Sequence, residues 1–194
     1  TNPLLETSAG LFELLGEAPH TYGLSDPGVI ISTGDVLDYE SGISSGPANT
    51  TDFGPSGFDG APANTQQEIL LDPITTSGGV EFNHFDATQL DIRFDAPDGF
   101  NQVSFRVTFG SEEFPEFVNS PFIDGFGIYL NGTNIAFTGG APININHPDM
   151  QPLSGTELDG VIAQGESAVL QFNAPITPGS KDNTLTFVIA DTED

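Results

Sequence analysis

The stretch LDIRFDAPDGFNQVSFRVTF, residues 90–109, carries the strongest structural signal in this sequence. Apolar and polar residues alternate through LDIRFDA and again through QVSFRVTF. A period of two is typical of half-buried antiparallel strands, and it directs Val103, Phe105 and Val107 to one face. The turn-forming residues APDGFN separate the two parts. The stretch therefore predicts two strands that are joined in a hairpin and that each bury one face.

The rest of the sequence contains further strand signals. Short apolar or alternating segments recur between turns rich in Gly and Pro: GVIIST (28–33), EILL (68–71), FGIYL (126–130), ININ (143–146), AVLQFNA (168–174) and TLTFVIA (184–190). The pair Asn131-Gly132 suits a type I′ turn and predicts a second hairpin. Because βαβ alternation is missing, the pattern indicates an all-β, antiparallel, jelly-roll-like β-sandwich with long loops. We expect one domain over residues 1–194.

Two segments depart from this strand pattern. LLETSAGLFELLGEA, residues 4–18, has the spacing of an amphipathic helix, although Gly10 and Gly16 weaken it. Residues 41–66 are rich in Gly, Ser, Pro, Asn and Asp and contain almost no aliphatic residues. Such a composition favours a long surface loop.

The charge of the chain narrows the range of its partners. There are 28 acidic residues against 3 basic ones, which gives a formal net charge of −25. Nucleic acid and anionic membrane surfaces would be repelled by such a chain. No apolar stretch approaches the length of a membrane-spanning helix, so we expect no membrane insertion of this segment. Cations should stabilise the fold, and Ca²⁺ is the first candidate because it prefers oxygen ligands.

Acidic and aromatic residues are interleaved most densely in FGSEEFPEFVNSPFIDGFG, residues 109–127. Burial of the aromatic side chains should draw the neighbouring carboxylates inward, where a carboxylate needs a cation. Glu112, Glu113, Asn119 and Asp124 offer oxygen ligands on a segment stiffened by two prolines. The segment therefore predicts a calcium site, and the alternative interpretation is a solvated acidic loop.

Two further acidic residues follow predicted strands. Asp35 comes just after GVIIST, and Asp191 comes just after TLTFVIA. If these strand ends meet the 109–127 segment at one edge of the sandwich, five carboxylates converge, together with Asn119. Such a cluster would need a metal ion to be stable, because only three Lys or Arg exist in the whole chain.

The sequence resembles the choice-of-anchor L domain family. The segments that carry the resemblance run in family order: GVIISTGDV (28–36), FGSEEFPEFVNSPFIDGFGIYLNG (109–132), NIAF (134–137), ININH (143–147), LDGV (158–161) and FVIADTED (187–194). The resemblance implies an extracellular or cell-surface domain of bacterial and archaeal proteins, without a defined activity. Family members have further strands at both ends, so we expect terminal strands that are either truncated or supplied by another copy of the chain.

These observations lead to a functional hypothesis with one alternative. The leading reading is a non-catalytic, extracellular, calcium-binding structural module of a cell-surface, matrix or appendage protein, with self-assembly into filaments by strand exchange as its sharper form. The alternative is a calcium-dependent carbohydrate-binding or adhesion module with a glycan partner. An enzyme is disfavoured, because His20, His84 and His147 lack zinc-motif spacing and no nucleophile motif occurs. Asn49 and Asn131 lie in glycosylation sequons.

Overall fold

The computed structural model describes residues 9–12, 22–24, 28–34, 36, 61–76, 79–152, 158–165 and 167–192. In these ranges the chain forms antiparallel strands and one helix, so the all-β sandwich predicted from the alternation is confirmed. The helix is α1 (Thr65–Thr75). The strands are β1 (Ala9–Phe12), β2 (Gly28–Ile31), β3 (His84–Phe94), β4 (Gln102–Val107), β5 (Gly110–Ser111), β6 (Gly125–Leu130), β7 (Thr133–Asn134), β8 (Phe137–Thr138), β9 (Ala141–Asn144), β10 (Met150–Pro152), β11 (Gly160–Ile162), β12 (Leu170–Pro175) and β13 (Asn183–Thr192).

The largest sheet has six strands, and its path runs β3-β13-β6-β9-β8, with β7 paired to β6 outside this path. Strand β13 lies between β3 and β6 and is antiparallel to both. Its register places Phe187 opposite Leu90 on one side and opposite Ile128 on the other. Smaller sheets are formed by β4 with β12, by β10, β11 and β5, and by β1 with β2.

The main core lies between the six-stranded sheet and the β4–β12 sheet. Phe105 of β4 packs edge-on against Phe187 of β13, with ring centroids 5.7 Å apart. Phe105 also stacks on Phe172 of β12. Val103 and Val107 are packed against the same core, which confirms the face assigned to them by the sequence alternation. These contacts join the two sheets into a sandwich.

The hairpin predicted for residues 90–109 is wrong. Strand β3 pairs with β13, whereas β4 pairs with β12, so the two consecutive strands belong to different sheets. Alternation specifies which face of a strand is buried but not which strand lies beside it. The segment 96–101 is therefore an arch between two sheets. A second arch faces it, because the Ala96 N–H donates to the Ser180 carbonyl and the Ile176 N–H donates to the Asn101 carbonyl.

The hairpin predicted around Asn131-Gly132 is observed. Strands β6 and β7 pair through Tyr129↔Asn134 and Leu130↔Thr133. Both turn residues have positive φ, 50° at Asn131 and 81° at Gly132, as a type I′ turn requires. The Asn131 side chain also accepts a hydrogen bond from the Thr184 N–H at 2.8 Å, which ties the turn to β13.

The segment EILL is not a strand, because it lies within α1. Asn64 caps this helix, and Gln67 completes a capping box with it, since its side chain accepts from the Asn64 N–H. These signals outweigh the short apolar run. The predicted loop 41–66 is described only from residue 61, and its last two residues begin the helix. For residues 4–18 a helix was predicted, but the part that the structure describes, Ala9–Phe12, is strand β1.

Helix α1 packs against the outer face of the six-stranded sheet. Leu71 and Ile74 form a second buried cluster with Tyr129 and Val188. Residues 125–130 read GFGIYL, which places Phe126 and Ile128 in the main core and the two glycines under the helix. A Cβ on Gly127 would lie 2.7 Å from Ile74 Cδ1. The glycines therefore permit the close approach of helix and sheet.

Candidate functional site

The acidic segment predicted as a calcium site leaves the sandwich at β5 and returns at β6. Its two ends are close to each other, because Phe109 and Phe126 stack with ring centroids 6.3 Å apart. The ring of Phe114 lies over Gly160 of β11, where an added Cβ would be only 2.3 Å from Phe114 Cγ. The segment is thus anchored at its start, and Gly160 is required for that contact.

The middle of the segment is less buried than its aromatic content suggests. It is folded by tight turns, in which the Phe117 N–H donates to the Glu113 carbonyl and the Ser120 N–H donates to the Phe117 carbonyl. Phe117 and Phe122 are 41% and 39% exposed. The expectation that aromatic burial draws the whole segment inward therefore fails at these two residues. It holds for the ends of the segment.

Among the predicted ligands that the structure describes, Asp124 is the buried carboxylate, with 8% of its surface exposed. Its Oδ1 accepts a hydrogen bond from the Thr192 N–H at 3.2 Å, and the Thr192 hydroxyl donates to the Ile123 carbonyl. Asp191 directly precedes Thr192, and the paired residues Ala190 and Gly125 are the chain neighbours of Asp191 and Asp124. The structure thus places Asp124 and Asp191 at the same end of two neighbouring strands.

The remaining predicted ligands occupy different surroundings. Glu112 and Glu113 are half-buried, and the Glu113 N–H donates to Ser111 Oγ. Asn119 is exposed, has a φ of 65°, and donates its backbone N–H to Asn146 Oδ1. Asp35 lies outside the described residues, although Gly34 and Val36 on either side of it are buried. The convergence of the full set stays a prediction.

A second group of potential ligands joins α1 to β3. Among the described residues, only Glu68, Asp72 and His84 place three acidic or imidazole ligand atoms within 4.8 Å of one another. Glu68 and Asp72 are one helical turn apart and share a face of α1. His84 begins β3 and is 0% exposed, whereas both carboxylates are half-buried. The group is therefore accessible from the carboxylate side.

Both ring nitrogens of His84 face oxygen atoms. Nδ1 lies 2.5 Å from Glu68 Oε2, and Nε2 lies 2.7 Å from the hydroxyl oxygen of Thr75. The Thr75 hydroxyl donates to the Leu71 carbonyl at 3.1 Å. The backbone N–H of His84 donates to Glu68 Oε1 at 3.2 Å. Glu68 and Thr75 therefore hold the imidazole ring in one orientation.

Sequence reasoning missed this group because residues 68–71 were interpreted as a strand. Recognition of the Asn64 and Gln67 capping box would have placed Glu68 and Asp72 at positions i and i+4 of one helix. The proximity of His84 carries no comparable sequence signal. It depends on the packing of α1 against the sheet.

The second buried histidine, His147, has a different environment. Its Nδ1 accepts from the Asp149 N–H at 3.0 Å, so Nε2 carries the ring proton and donates to the Thr138 carbonyl at 3.1 Å. Both nitrogens are engaged with backbone groups. His147 is thus a structural residue, and it is a natural reference for His84.

Two of the three basic residues have partners outside the His84 group. The Lys181 ammonium is 3.2 Å from Asp95 Oδ2, and Arg106 donates to the Gly23 carbonyl. The hydrogen bond from the Asp182 N–H, followed by the contact with Lys181, lowers the pKa of the exposed Asp95 carboxyl. Within the described ranges, the ion pairs are Lys181 with Asp95 and His84 with Glu68.

The layered antiparallel sheets, with one capping helix and an acidic edge, define an all-β sandwich protein. A family model described as the choice-of-anchor L domain matches residues 4–194, so the chain belongs to that family. Searches of curated proteins and of solved structures returned no match. Family membership indicates a surface-associated bacterial protein domain that is secreted or held at the cell surface. In the described ranges, no helix is both long and apolar enough to span a membrane.

Proposed function

We propose that the chain is a non-catalytic structural module of an extracellular or cell-surface protein, and that Ca²⁺ stabilises it. The observation that carries the proposal is the burial of Asp124 at the strand end that it shares with Asp191. A buried carboxylate is costly unless cations or hydrogen bonds compensate it. With 28 acidic and 3 basic residues, most of the compensating charge must come from ions in solution.

Calcium suits this edge better than a transition metal. The predicted ligands are carboxylate and amide oxygens, which are the groups that Ca²⁺ prefers. The coordination geometry of Ca²⁺ is flexible, so the ion can accept ligands from the irregular 112–124 segment. The segment is fixed where Phe114 packs on Gly160 and where Asp124 enters β6. Binding there would hold an exposed loop against the sandwich. The role of the ion in this proposal is therefore mechanical rather than catalytic.

The first prediction concerns thermal unfolding with and without Ca²⁺. We expect millimolar Ca²⁺ to raise Tm relative to EDTA at fixed ionic strength. An ion present at a hundredfold excess over Kd adds about 2.7 kcal/mol. For a chain of this length, that corresponds to a shift of roughly 5–10 °C. Mg²⁺ should give a much smaller shift, because it requires a more regular coordination geometry.

Substitutions then locate the ion. Asp124→Asn preserves the oxygen that accepts from the Thr192 N–H but removes the charge. We expect this variant and Asp191→Asn to lose most of the Ca²⁺ shift. Glu116→Gln is the matched control, since Glu116 lies in the same segment, is exposed and was not predicted as a ligand. An equal loss in Glu116→Gln, or an equal shift with Mg²⁺, would show that the acidic surface acts only diffusely.

Filament assembly by strand exchange, and the alternative of a glycan-binding adhesion module, stay predictions. Both place the chain in the same extracellular setting, and neither requires a catalytic residue. The calcium experiment also tests the adhesion alternative, because the structural module and the adhesion module both require a loop that Ca²⁺ orders.

A further inference from the structure

We propose that Glu68, Asp72 and His84 bind a divalent transition-metal ion of the zinc class, at a site independent of the calcium edge. The site joins helix α1 to strand β3, on the outer face of the six-stranded sheet. It is separate from the Asp124 edge in ligand chemistry, because it includes an imidazole nitrogen. Imidazole with carboxylates suits Zn²⁺ and similar ions, whereas Ca²⁺ prefers oxygen alone.

The hydrogen bonds of His84 orient it as a metal ligand. Because the Thr75 hydroxyl donates to the Leu71 carbonyl, its oxygen accepts from Nε2–H of His84. Metal-ligating histidines use their second ring N–H in the same way, to donate to a nearby oxygen. The Nδ1 atom is then directed at Glu68 Oε2, 2.5 Å away. That contact is a hydrogen bond with a shared proton, and a metal ion bound by Nδ1 would replace the proton and move the two atoms apart.

The charge balance of the group favours a metal ion. Two carboxylates meet one imidazole, and none of the three Lys or Arg side chains forms an ion pair with Glu68 or Asp72. A single proton on His84 compensates one of the two carboxylates. A divalent ion compensates both. Two half-buried carboxylates beside a fully buried ring therefore match the charge of a divalent cation.

The spacing of the ligand atoms requires only a small adjustment. Zn–N and Zn–O bonds of about 2.0–2.2 Å in tetrahedral geometry separate neighbouring ligand atoms by roughly 3.3 Å. The three atoms here lie within 4.8 Å of one another, with the Nδ1–Oε2 pair closer and the others at or inside that limit. The Glu68 side chain is 26% exposed, so it can rotate to admit the ion. Water would complete the coordination from the solvent side.

Zinc titration of the full chain tests the site. Binding is measured by calorimetry in millimolar Ca²⁺ and at fixed ionic strength. The Ca²⁺ fills oxygen-only sites, and the salt screens diffuse binding of Zn²⁺ to the acidic surface. We expect one Zn²⁺ per chain. Asp72→Asn and His84→Gln should each weaken binding by at least about tenfold, the lower end of the cost of losing even a supporting partner. His147→Gln and Glu116→Gln are the matched histidine and carboxylate controls, and they should leave zinc affinity unchanged.

A spectroscopic readout separates ligation from a purely structural role. Long-range ¹H–¹⁵N NMR of the wild-type chain should show Nδ1 of His84 shifting on Zn²⁺ addition while the resonances of His147 remain in place. Because it uses the wild-type chain, this measurement tests zinc ligation by His84 even if His84→Gln does not fold. The proposal is overturned if the wild type binds no Zn²⁺, if binding survives Asp72→Asn, or if the His84 nitrogens do not respond.

Discussion

Two buried histidines have different roles in this molecule, and their hydrogen-bond partners distinguish these roles. His84 and His147 are both buried, at 0% and 3% exposure. His147 is bonded to backbone groups on both nitrogens, whereas His84 meets a hydroxyl and a carboxylate. Of the two histidines, only His84 has a ring nitrogen whose hydrogen-bond partner is a carboxylate. Composition alone, with three histidines in the chain, cannot make this distinction.

Tyr129 gives a prediction at the residue scale. Burial against α1 raises the pKa of its phenol above 10.0, opposed in part by the side-chain hydrogen bond of Asn134, and its hydroxyl donates to the Leu70 carbonyl. The unfolded chain therefore ionises first as the pH rises. Stability from this group is fully present below pH 10 and is lost as the pH rises through the higher folded pKa.

We expect the free energy of unfolding, measured with urea, to fall as the pH rises above 10 in the wild type. Tyr129→Phe should be less stable by about 1 kcal/mol at pH 8, because it lacks the hydrogen bond, and should show a shallower alkaline decline. Equal slopes in the two proteins would mean that the decline comes from other groups.

At the element scale, the glycines of β6 fix the position of the helix. A Cβ at Gly127 would lie 2.7 Å from both Ile74 Cδ1 and Tyr129 Cε2. We expect Gly127→Ala to destabilise the fold by about 1–3 kcal/mol, the usual cost of overpacking. Urea denaturation measures the change.

The matched test of this contact is a double substitution. Ile74→Val removes the methyl group that the new Cβ would meet. The destabilisation in Gly127→Ala with Ile74→Val should therefore be smaller than the sum of the two single effects. Strict additivity would place the clash elsewhere, for example against Tyr129.

The elements also show what the sequence could predict. Asn131-Gly132 specified its turn, because a type I′ geometry demands residues that accept positive φ. The alternation in β4 gave the buried face. It could not give the partner of β4, because β12 is distant in sequence, and the turn 96–101 is compatible with either a hairpin or an arch. Helix α1 was missed because a short apolar run is ambiguous between strand and helix.

The candidate sites were predictable to a smaller extent. The sequence suggested that Asp191, which follows a predicted strand, meets the 109–127 segment, and Asp124 and Asp191 do lie at the same end of neighbouring strands. Metal binding by these residues stays a prediction. The Glu68, Asp72 and His84 group was not anticipated, because helix spacing and tertiary packing act together there. Sequence patterns report one element at a time, whereas a site depends on how the elements are packed.

At the scale of the whole molecule, the net charge of −25 should make stability depend on salt. Raising the ionic strength from 0.01 M to 0.15 M shortens the screening length from about 30 Å to about 8 Å. We therefore expect Tm to rise with NaCl in the presence of EDTA, because repulsion between carboxylates is reduced. Choline chloride should give the same rise, since screening does not depend on the cation. A rise with NaCl alone would instead indicate a sodium site.

The position of β13 has a consequence for the order of folding. This strand lies between β3 and β6, and its first residue, Asn183, pairs with Phe94, 89 positions earlier. Strands β3 and β6 are not paired with each other, because β13 lies between them in the sheet. Since a ribosome delivers the chain from its N-terminal end, the centre of the sheet must wait for residues 183–192, and such distant pairing is slow. Until residues 183–192 have been made, the six-stranded sheet therefore lacks the strand that joins β3 to β6.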